Sequence, residues 1–198
     1  LCDVCVTSSN AFEVINNIPN KNIYFLPDKF MAKNLQNKFQ DKKIDKNIKY
    51  WHGTCYVHEE YDPDLIIYQR LMHNNLQVYA HPECSPSVTK LADFVGSTSE
   101  IITQVKNAPN QYFFLMTECG LSTRLQIENP EKKFIGSCTM CKFMKSNSLE
   151  NILKTLTNPQ KSNIIKIDST TQKKAVSCLN NMFFYTQKKA PSPIPIYL

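Results

Sequence analysis

Several features that define common protein classes are absent from this sequence. It contains no apolar run of about 18 residues, so we expect no membrane-spanning helix. The chain begins with Leu1, and no basic segment followed by an apolar segment opens it, so we expect that its natural N-terminus is missing. Arginine is scarce, because Arg70 and Arg124 are the only two arginines among 23 basic residues.

The scarcity of arginine argues against nucleic-acid binding. Proteins that bind nucleic acids rely on arginine and on aromatic side chains that stack on bases. The lysines that give this chain its net charge of +6 are scattered and are not interleaved with aromatics. We interpret them as a solvated surface, and expect neither nucleic acid nor a membrane as a partner.

The overall composition is that of a globular protein with a substantial core. The 198 residues are 42% hydrophobic and 20% charged, which disfavours wholesale disorder. A chain of this length does not need disulfides for stability, so we expect reduced thiols that are available for metal or redox chemistry. The cysteines are Cys2, Cys5, Cys55, Cys84, Cys119, Cys138, Cys141 and Cys178.

Short apolar segments alternate with helical patterns along most of the chain. The segments are 22–26, 47–51, 76–80, 93–96, 111–116 and 132–136. This alternation predicts an α/β architecture with parallel sheets, and Pro27 is placed to start the first such helix. Near the C-terminus the pattern predicts two amphipathic helices around a strand at 163–167, with Cys178 as a core residue.

In parallel sheets, function collects where the carboxyl ends of strands meet helix N-termini. Most of the cysteines, histidines and hydroxyl clusters fall just after the predicted strands. These stretches read "TSSN", "WHGTCYVHEE", "HPEC", "GSTSE" and "GSCTMC". The pattern predicts an active site at one edge of the sheets.

Two of these stretches place small hydroxyls before a helix, at 6–15 and at 96–105. Such residues cap helices, and Ser97 with Glu100 fits a capping box. Because the pattern occurs twice, we also consider that the two helix ends bind a substrate with several anionic groups.

The stretch "AHPECSP" places His81 and Glu83 two residues apart after a strand. In an extended turn both side chains can face one pocket. His81 is then a candidate for anion binding or proton transfer, and Glu83 for a general base. The alternative is a proline-bent loop with two solvated polar residues.

Cys55 lies between His52 and His58, and two interpretations of it remain open. Zinc with Cys55 and His58 as ligands is one, and a catalytic thiol is the other.

Two C-x₂-C pairs, Cys2/Cys5 and Cys138/Cys141, stand more than 100 residues apart. A four-cysteine zinc ribbon separates its pairs by about 15–20 residues, so a local ribbon is excluded. A zinc site assembled from both ends of the chain remains an alternative. An iron–sulfur cluster is favoured, because its cysteines can come from distant loops.

Taken together, the motifs at the strand ends resemble the quinolinate synthase family, from Cys5 to about Leu156. They occur in the order "VTSSNA", "YWHGTCYVHEE", "YAHPEC", "DFVGSTSEII", "TECGLSTRLQIENPEKKF" and "CTMCKFMKSNSLENI". The resemblance implies a transferase of NAD biosynthesis that condenses iminoaspartate with dihydroxyacetone phosphate to quinolinate, releasing water and phosphate. It implies L-aspartate oxidase or aspartate dehydrogenase as the source of iminoaspartate, and a cytoplasmic or plastid-stroma location.

The resemblance also implies an architecture and a cofactor. The fold is three similar three-layer αβα domains in a pseudo-threefold array around a central active site. A 4Fe-4S cluster is held by three cysteines, one from each domain, and its open iron acts as a Lewis acid. On this basis we expect residues 1–56 to complete the second domain, 57–142 to form the third, and 143–198 to form C-terminal helices, a strand and a proline-rich tail.

Residue by residue, the resemblance assigns the second cluster cysteine to Cys55 and the third to Cys141. A local comparison of "GTC" with "GSC" nominates Cys138 instead of Cys141. The substrate-binding histidine and glutamate correspond to His81 and Glu83, with Glu83 as the base. The hydroxyls that hold substrate carboxylates or phosphate correspond to Ser8, Ser97 and Thr98.

One departure from the family is large. The family's first domain, its first cluster cysteine and a Tyr-x-Asn substrate contact would all precede Leu1. We therefore expect that this chain alone binds no stable 4Fe-4S cluster and is inactive. The alternatives are a non-catalytic zinc-binding protein that uses the C-x₂-C pairs, and a degenerate fragment.

Overall fold

A computed structural model of the chain describes residues 2–136 and 139–187. The chain divides into two compact units. The terminal unit combines Leu1–Ile18 with Cys141–Leu198, and the central unit is Pro19–Met140. The domain boundaries expected after residues 56 and 142 stay a prediction.

The elements alternate between helix and strand, as the apolar pattern predicts. In chain order they are α1 (Ala11–Asn17), β1 (Asn22–Phe25), α2 (Lys29–Asp41), β2 (Asn47–Tyr50), α3 (Tyr56–Glu59), α4 (Pro63–Met72), β3 (Gln77–Ala80), α5 (Pro86–Leu91), β4 (Phe94–Val95), α6 (Thr98–Asn107), β5 (Tyr112–Met116), α7 (Cys119–Glu128), β6 (Lys133–Ile135), α8 (Leu149–Thr157) and α9 (Ser169–Thr186).

The strands of the central unit form two parallel sheets. In one, β1 pairs with β2 so that Ile23 lies opposite Ile48. The other has the order β4-β3-β5-β6, and every pairing in it is parallel. The predicted α/β class with parallel sheets is therefore confirmed.

The larger sheet is covered by helices on both faces. Successive side chains of a strand point to opposite faces, so Phe114 and Met116 pack with Ile66 of α4 and Val88 of α5. On the other face, Phe113 and Leu115 of the same strand pack with residues of α6 and α7, namely Ile101, Val105, Leu121 and Leu125. This is the three-layer αβα arrangement that the sequence predicts. Burial on both faces explains why β5 reads as a continuous apolar run.

Side-chain caps fix where several helices begin. Asp62 accepts a hydrogen bond from the Asp64 amide at the start of α4, and Pro63 occupies the first helical position. At α2 the cap is Asp28, which accepts from the Met31 amide. The prediction that Pro27 starts this helix is wrong by two residues, because Pro27 precedes the capping residue Asp28 and the first helical residue is Lys29.

In the terminal unit, α1 packs against α9. The Asn17 side chain donates to the Tyr185 carbonyl at 2.7 Å. The Cys5 amide donates to the Cys178 carbonyl at 3.2 Å, and Cys178 is buried, as expected for a core residue.

The predicted strand at 163–167 is wrong. The described residues here form a 3₁₀ turn at Lys161–Asn163 and then no regular element. Ile164, Ile165 and Ile167 are exposed. An apolar run without a neighbouring strand has no backbone partner to pair with, and the sequence alone does not supply that information.

Among the described residues, every helix is too short or too polar to cross a membrane.

Candidate functional site

Three strand ends of the central unit meet at one cavity of about 210 Å³. The residues after β1, β2 and β3 supply its walls, as expected for the carboxyl edge of parallel sheets. The lining residues are Pro27, Asp28, Trp51, Gly53, Thr54, Cys55 and Glu83.

Asp28 joins two of these strand ends. One oxygen of its carboxylate caps α2 through the Met31 amide at 2.7 Å. The other accepts from the Cys55 amide at 2.9 Å, which fixes the backbone that carries the cysteine. Burial raises the pKa of Asp28, and the two amide hydrogen bonds oppose that rise.

Cys55 is half-buried at the N-terminus of α3, and its thiol is free. Burial is the main cause that raises the pKa of this thiol, and the nearby charges of Glu83 and Asp28 add to it. The thiol is therefore the stable form at neutral pH unless a cation approaches, which would favour the thiolate.

Glu83 stands between two histidines. Its Oε2 atom lies 3.1 Å from Nδ1 of His58 and 3.7 Å from Nδ1 of His81. The two imidazole rings stack, with centroids 4.6 Å apart and planes inclined by 18°. Both histidines are buried, so the carboxylate faces imidazoles that water barely reaches.

These contacts determine the protonation states of His81 and Glu83, the two site residues predicted from this turn of the sequence. Burial, reinforced by His58, lowers the pKa of His81 to about 4, so His81 is neutral at pH 7. The contact with His58 lowers the pKa of Glu83, against the effect of burial, so Glu83 is ionised. The site therefore presents a carboxylate and a neutral imidazole side by side.

The loop that carries Glu83 is held from a neighbouring helix. The Asn34 side chain in α2 donates to the carbonyls of Pro82 and Cys84, both at 2.8 Å. The Thr89 hydroxyl in α5 donates to the oxygen of the same Asn34 amide at 2.9 Å, which fixes the orientation of that amide. The loop is thus a supported turn rather than the solvated one considered as an alternative.

Behind the histidines lies a polar residue on the strand end of β5. Thr117 Oγ1 is 3.4 Å from Nε2 of His58, and the Thr117 carbonyl accepts from the Tyr61 hydroxyl. Burial raises the pKa of Tyr61 to about 12, so this hydroxyl stays protonated. Thr117 Oγ1 thus contacts the ring nitrogen of His58 that does not face Glu83.

Ser97 and Thr98 follow β4 at the start of α6. The Ser97 hydroxyl and amide both bond the Glu100 carboxylate, at 2.6 and 2.8 Å, and the capping box is complete. Ser97 is buried and Thr98 is exposed. The cap interpretation is confirmed for Ser97, and the substrate contacts assigned to both residues stay predictions.

Ser8 and Cys141 belong to the terminal unit. Ser8 is half-buried in the turn before α1, where Thr7 and Asn10 hydrogen-bond each other. Cys141 is half-buried and is not part of a disulfide, and its carbonyl accepts a hydrogen bond from the Lys145 amide. Cys138, the competing candidate, lies outside the described residues.

The cavity partly fits a thiolate-ligated metal group. Cys55 offers it a free thiol, whereas the buried Cys84 thiol donates to the Met116 carbonyl at 3.2 Å. Within the described part of the central unit, Cys55 is the single cysteine that lines the cavity. A 4Fe-4S cluster there would need further cysteines from elsewhere.

Sequence reasoning named Cys55, His81 and Glu83, and the structure brings all three to the central unit's site. It missed the roles of Asp28 and Asn34. Asp28 stands three residues before Met31 at a helix start, so an N-cap could have been inferred. Its second bond, to Cys55, is a tertiary contact that leaves no local signal.

The fold and this site together define a parallel α/β protein with a thiol, two imidazoles and a carboxylate at the carboxyl edge of its strands.

Comparison with known proteins identifies the family. The family model described as "Quinolinate synthetase A protein" matches residues 1–184. The chain is 40% identical over 181 residues to the quinolinate synthase of Clostridium novyi (strain NT), which covers 91% of this chain and 58% of that protein. For the quinolinate synthase of Geobacter metallireducens, identity is 36% over 157 residues, covering 78% of this chain and 50% of that protein.

The chain therefore belongs to the quinolinate synthetase A family, an enzyme family, as its motifs predict. It spans 58% of the length of the Clostridium novyi relative.

Proposed function

We propose that the protein to which this chain belongs is a quinolinate synthase of NAD biosynthesis. It condenses iminoaspartate with dihydroxyacetone phosphate to quinolinate, with loss of water and phosphate. The observation that carries this proposal is the convergence of Cys55, His81 and Glu83 in the central unit of a chain with this family's sequence. Supply of iminoaspartate by L-aspartate oxidase or aspartate dehydrogenase, and a cytoplasmic or plastid-stroma location, belong to the same proposal.

Glu83 is proposed as the general base and as a substrate ligand. A base must be deprotonated before it acts, and the His58 contact favours the carboxylate. His81 is proposed to bind substrate as a neutral imidazole, because its lowered pKa removes the positive charge at pH 7. It then recognises substrate by hydrogen bonding rather than by charge attraction.

Cys55 and Cys141 are proposed as two ligands of a 4Fe-4S cluster. When bound, the cluster supplies a Lewis acid that polarises a carbonyl or hydroxyl oxygen. The Asp28 carboxylate fixes the Cys55 amide, so the thiol reaches the cavity from a held backbone. Ser8, Ser97 and Thr98 are proposed to hold the substrate carboxylates or phosphate, and the pseudo-threefold array of αβα domains is proposed as the frame.

The first test is quinolinate formation by the complete product of the gene, assayed without oxygen after cluster reconstitution. Glu83→Gln keeps the shape of the side chain and removes the base. We expect it to lower kcat by about 10²–10⁴-fold, the range that general base catalysis supplies.

Glu131→Gln is the matched control, because Glu131 is an exposed carboxylate outside the cavity. It should leave kcat unchanged. A Glu83→Gln enzyme with the wild-type rate would rule out the base assigned here, and a wild-type protein that forms no quinolinate would refute the reaction itself.

A further inference from the structure

Within the terminal unit, the segment that precedes α1 lies along α9. The Cys5 amide donates to the Cys178 carbonyl at 3.2 Å. The Asn181 side chain donates to the Asp3 carbonyl at 2.8 Å, and the Cys178 thiol donates to the Cys2 carbonyl. In its described residues this segment forms no helix or strand. Its position on α9 therefore depends on contacts of this kind.

Two thiols meet where the segment crosses the helix. Cys178 is the buried residue of α9, with 9% of its surface exposed, and Cys5 is half-buried. Their side chains are joined by a hydrogen bond, and both thiols are free. An ordinary core cysteine packs as a small apolar group, whereas Cys178 has a second thiol beside it.

The backbone places this pair within reach of a disulfide. A disulfide requires Cα atoms about 4.4–6.8 Å apart. The hydrogen bond between the Cys5 amide and the Cys178 carbonyl limits their Cα separation to about 7 Å at most, given standard bond lengths. The thiol contact shows that both side chains point towards each other. A bond between them therefore needs side-chain rotation and little movement of the backbone.

We propose that Cys5 and Cys178 are a redox-active thiol pair, which a disulfide oxidant such as oxidised glutathione joins into a disulfide. Cys2 contributes a carbonyl to this place, and its thiol is not part of the bond. The proposal concerns cysteines of the terminal unit, and no residue of the cavity takes part.

The reaction proceeds by two thiol–disulfide exchanges. Cys5 is the more exposed thiol, so its thiolate attacks oxidised glutathione, forms a mixed disulfide and releases one glutathione. The Cys178 thiolate then attacks the Cys5 sulfur and releases the second glutathione. The two protein thiols lose two electrons, oxidised glutathione gains them, and the two thiol protons end on the two glutathiones. Excess reduced glutathione reverses both steps.

The disulfide would join the two ends of the terminal unit. It closes a loop of about 170 residues, and the stabilisation that a disulfide gives increases with the length of the loop. Ser8, a proposed substrate contact, is three residues after Cys5, and any effect of oxidation on activity rests on the proposed function. Formation of the disulfide does not rest on it, because the bond is read from peptide masses.

The test is peptide mapping of the complete gene product after oxidation. The reduced protein is treated with oxidised glutathione without oxygen, denatured, alkylated and digested with trypsin. We expect most of Cys178 on a peptide that is joined to the Cys5 peptide, and expect dithiothreitol to separate the two. Oxidation should also raise the melting temperature by roughly 5–10 °C.

Three serine variants identify the bond. No lysine or arginine separates Cys2 from Cys5, so trypsin leaves both on one peptide. Cys5→Ser and Cys178→Ser should lose the linked peptides and the rise in melting temperature, and the matched control Cys2→Ser should keep both. The proposal is overturned if Cys178 of the wild-type protein stays a free thiol, if the link survives in Cys5→Ser, or if Cys2→Ser abolishes it.

Discussion

At the scale of single residues, the environment decides what each candidate group can do. Sequence pattern placed His81 and Glu83 in one turn, and it left both the charge of His81 and the solvation of the turn open. Burial and the neighbouring His58 resolve both points, because a buried imidazole beside another imidazole does not hold a proton at pH 7. The same burial keeps the Cys55 thiol protonated until a cation arrives.

The lowered pKa of His81 predicts a pH-dependent stability of the metal-free chain. The unfolded state binds the proton with a pKa near 6.5, and the folded state with one of about 4. As pH falls from 6.5 to 4, protonation favours the unfolded state, so the free energy of unfolding should drop by up to about 3 kcal/mol, at about 1.36 kcal/mol for each pH unit. The lowered pKa of Glu83 adds a further loss below about pH 4.5.

Urea unfolding between pH 4 and 8, in the presence of a chelator, measures this effect. His81→Gln should flatten the curve between pH 4 and 6.5. An unchanged curve in this variant would show that another group carries the pH dependence. As a direct check, NMR titration of the wild-type chain should find the His81 ring neutral above pH 5.

At the scale of elements, local sequence predicts the strands and helices well and their tertiary contacts poorly. β5 is predicted because its apolar run is buried on both faces, and α6 because Ser97 and Glu100 cap it. The strand at 163–167 fails because an apolar run specifies a strand only when a neighbouring strand can pair with it. Asn34 escapes prediction because its partners are about 50 residues away in the sequence.

The contacts of Asn34 predict that α2 stabilises the loop of the candidate site. Asn34→Ala removes the donor to two loop carbonyls, and we expect a loss of about 1–3 kcal/mol in the free energy of unfolding. Amide hydrogen exchange at Cys84 should also accelerate, because the Cys84 amide bonds the His81 carbonyl within the same loop.

Asn107→Ala, at the exposed end of α6, is the matched control and should change neither quantity by much. If Asn34→Ala lowers stability but leaves exchange at Cys84 unchanged, then Asn34 stabilises the helix contact and not the loop.

At the scale of the whole molecule, some features can be predicted from the sequence, and others depend on packing between distant parts of the chain. The αβα layering follows from sequence, because strands buried on both faces need helices on both sides. The strand order β4-β3-β5-β6 and the meeting of three strand ends at one cavity depend on long-range packing. The motifs still identified the residues, since Cys55 and Glu83 follow strands that the topology brings to that cavity.

Cys55 and Cys141 are proposed here as metal ligands of a quinolinate synthase. The most direct test is the iron and acid-labile sulfide content of the complete gene product after anaerobic reconstitution, in Cys55→Ala, Cys141→Ala and Cys138→Ala variants. We predict that the first two lose the 4Fe-4S cluster and that Cys138→Ala keeps it. A cluster retained in Cys55→Ala or Cys141→Ala, or lost in Cys138→Ala, would contradict this assignment.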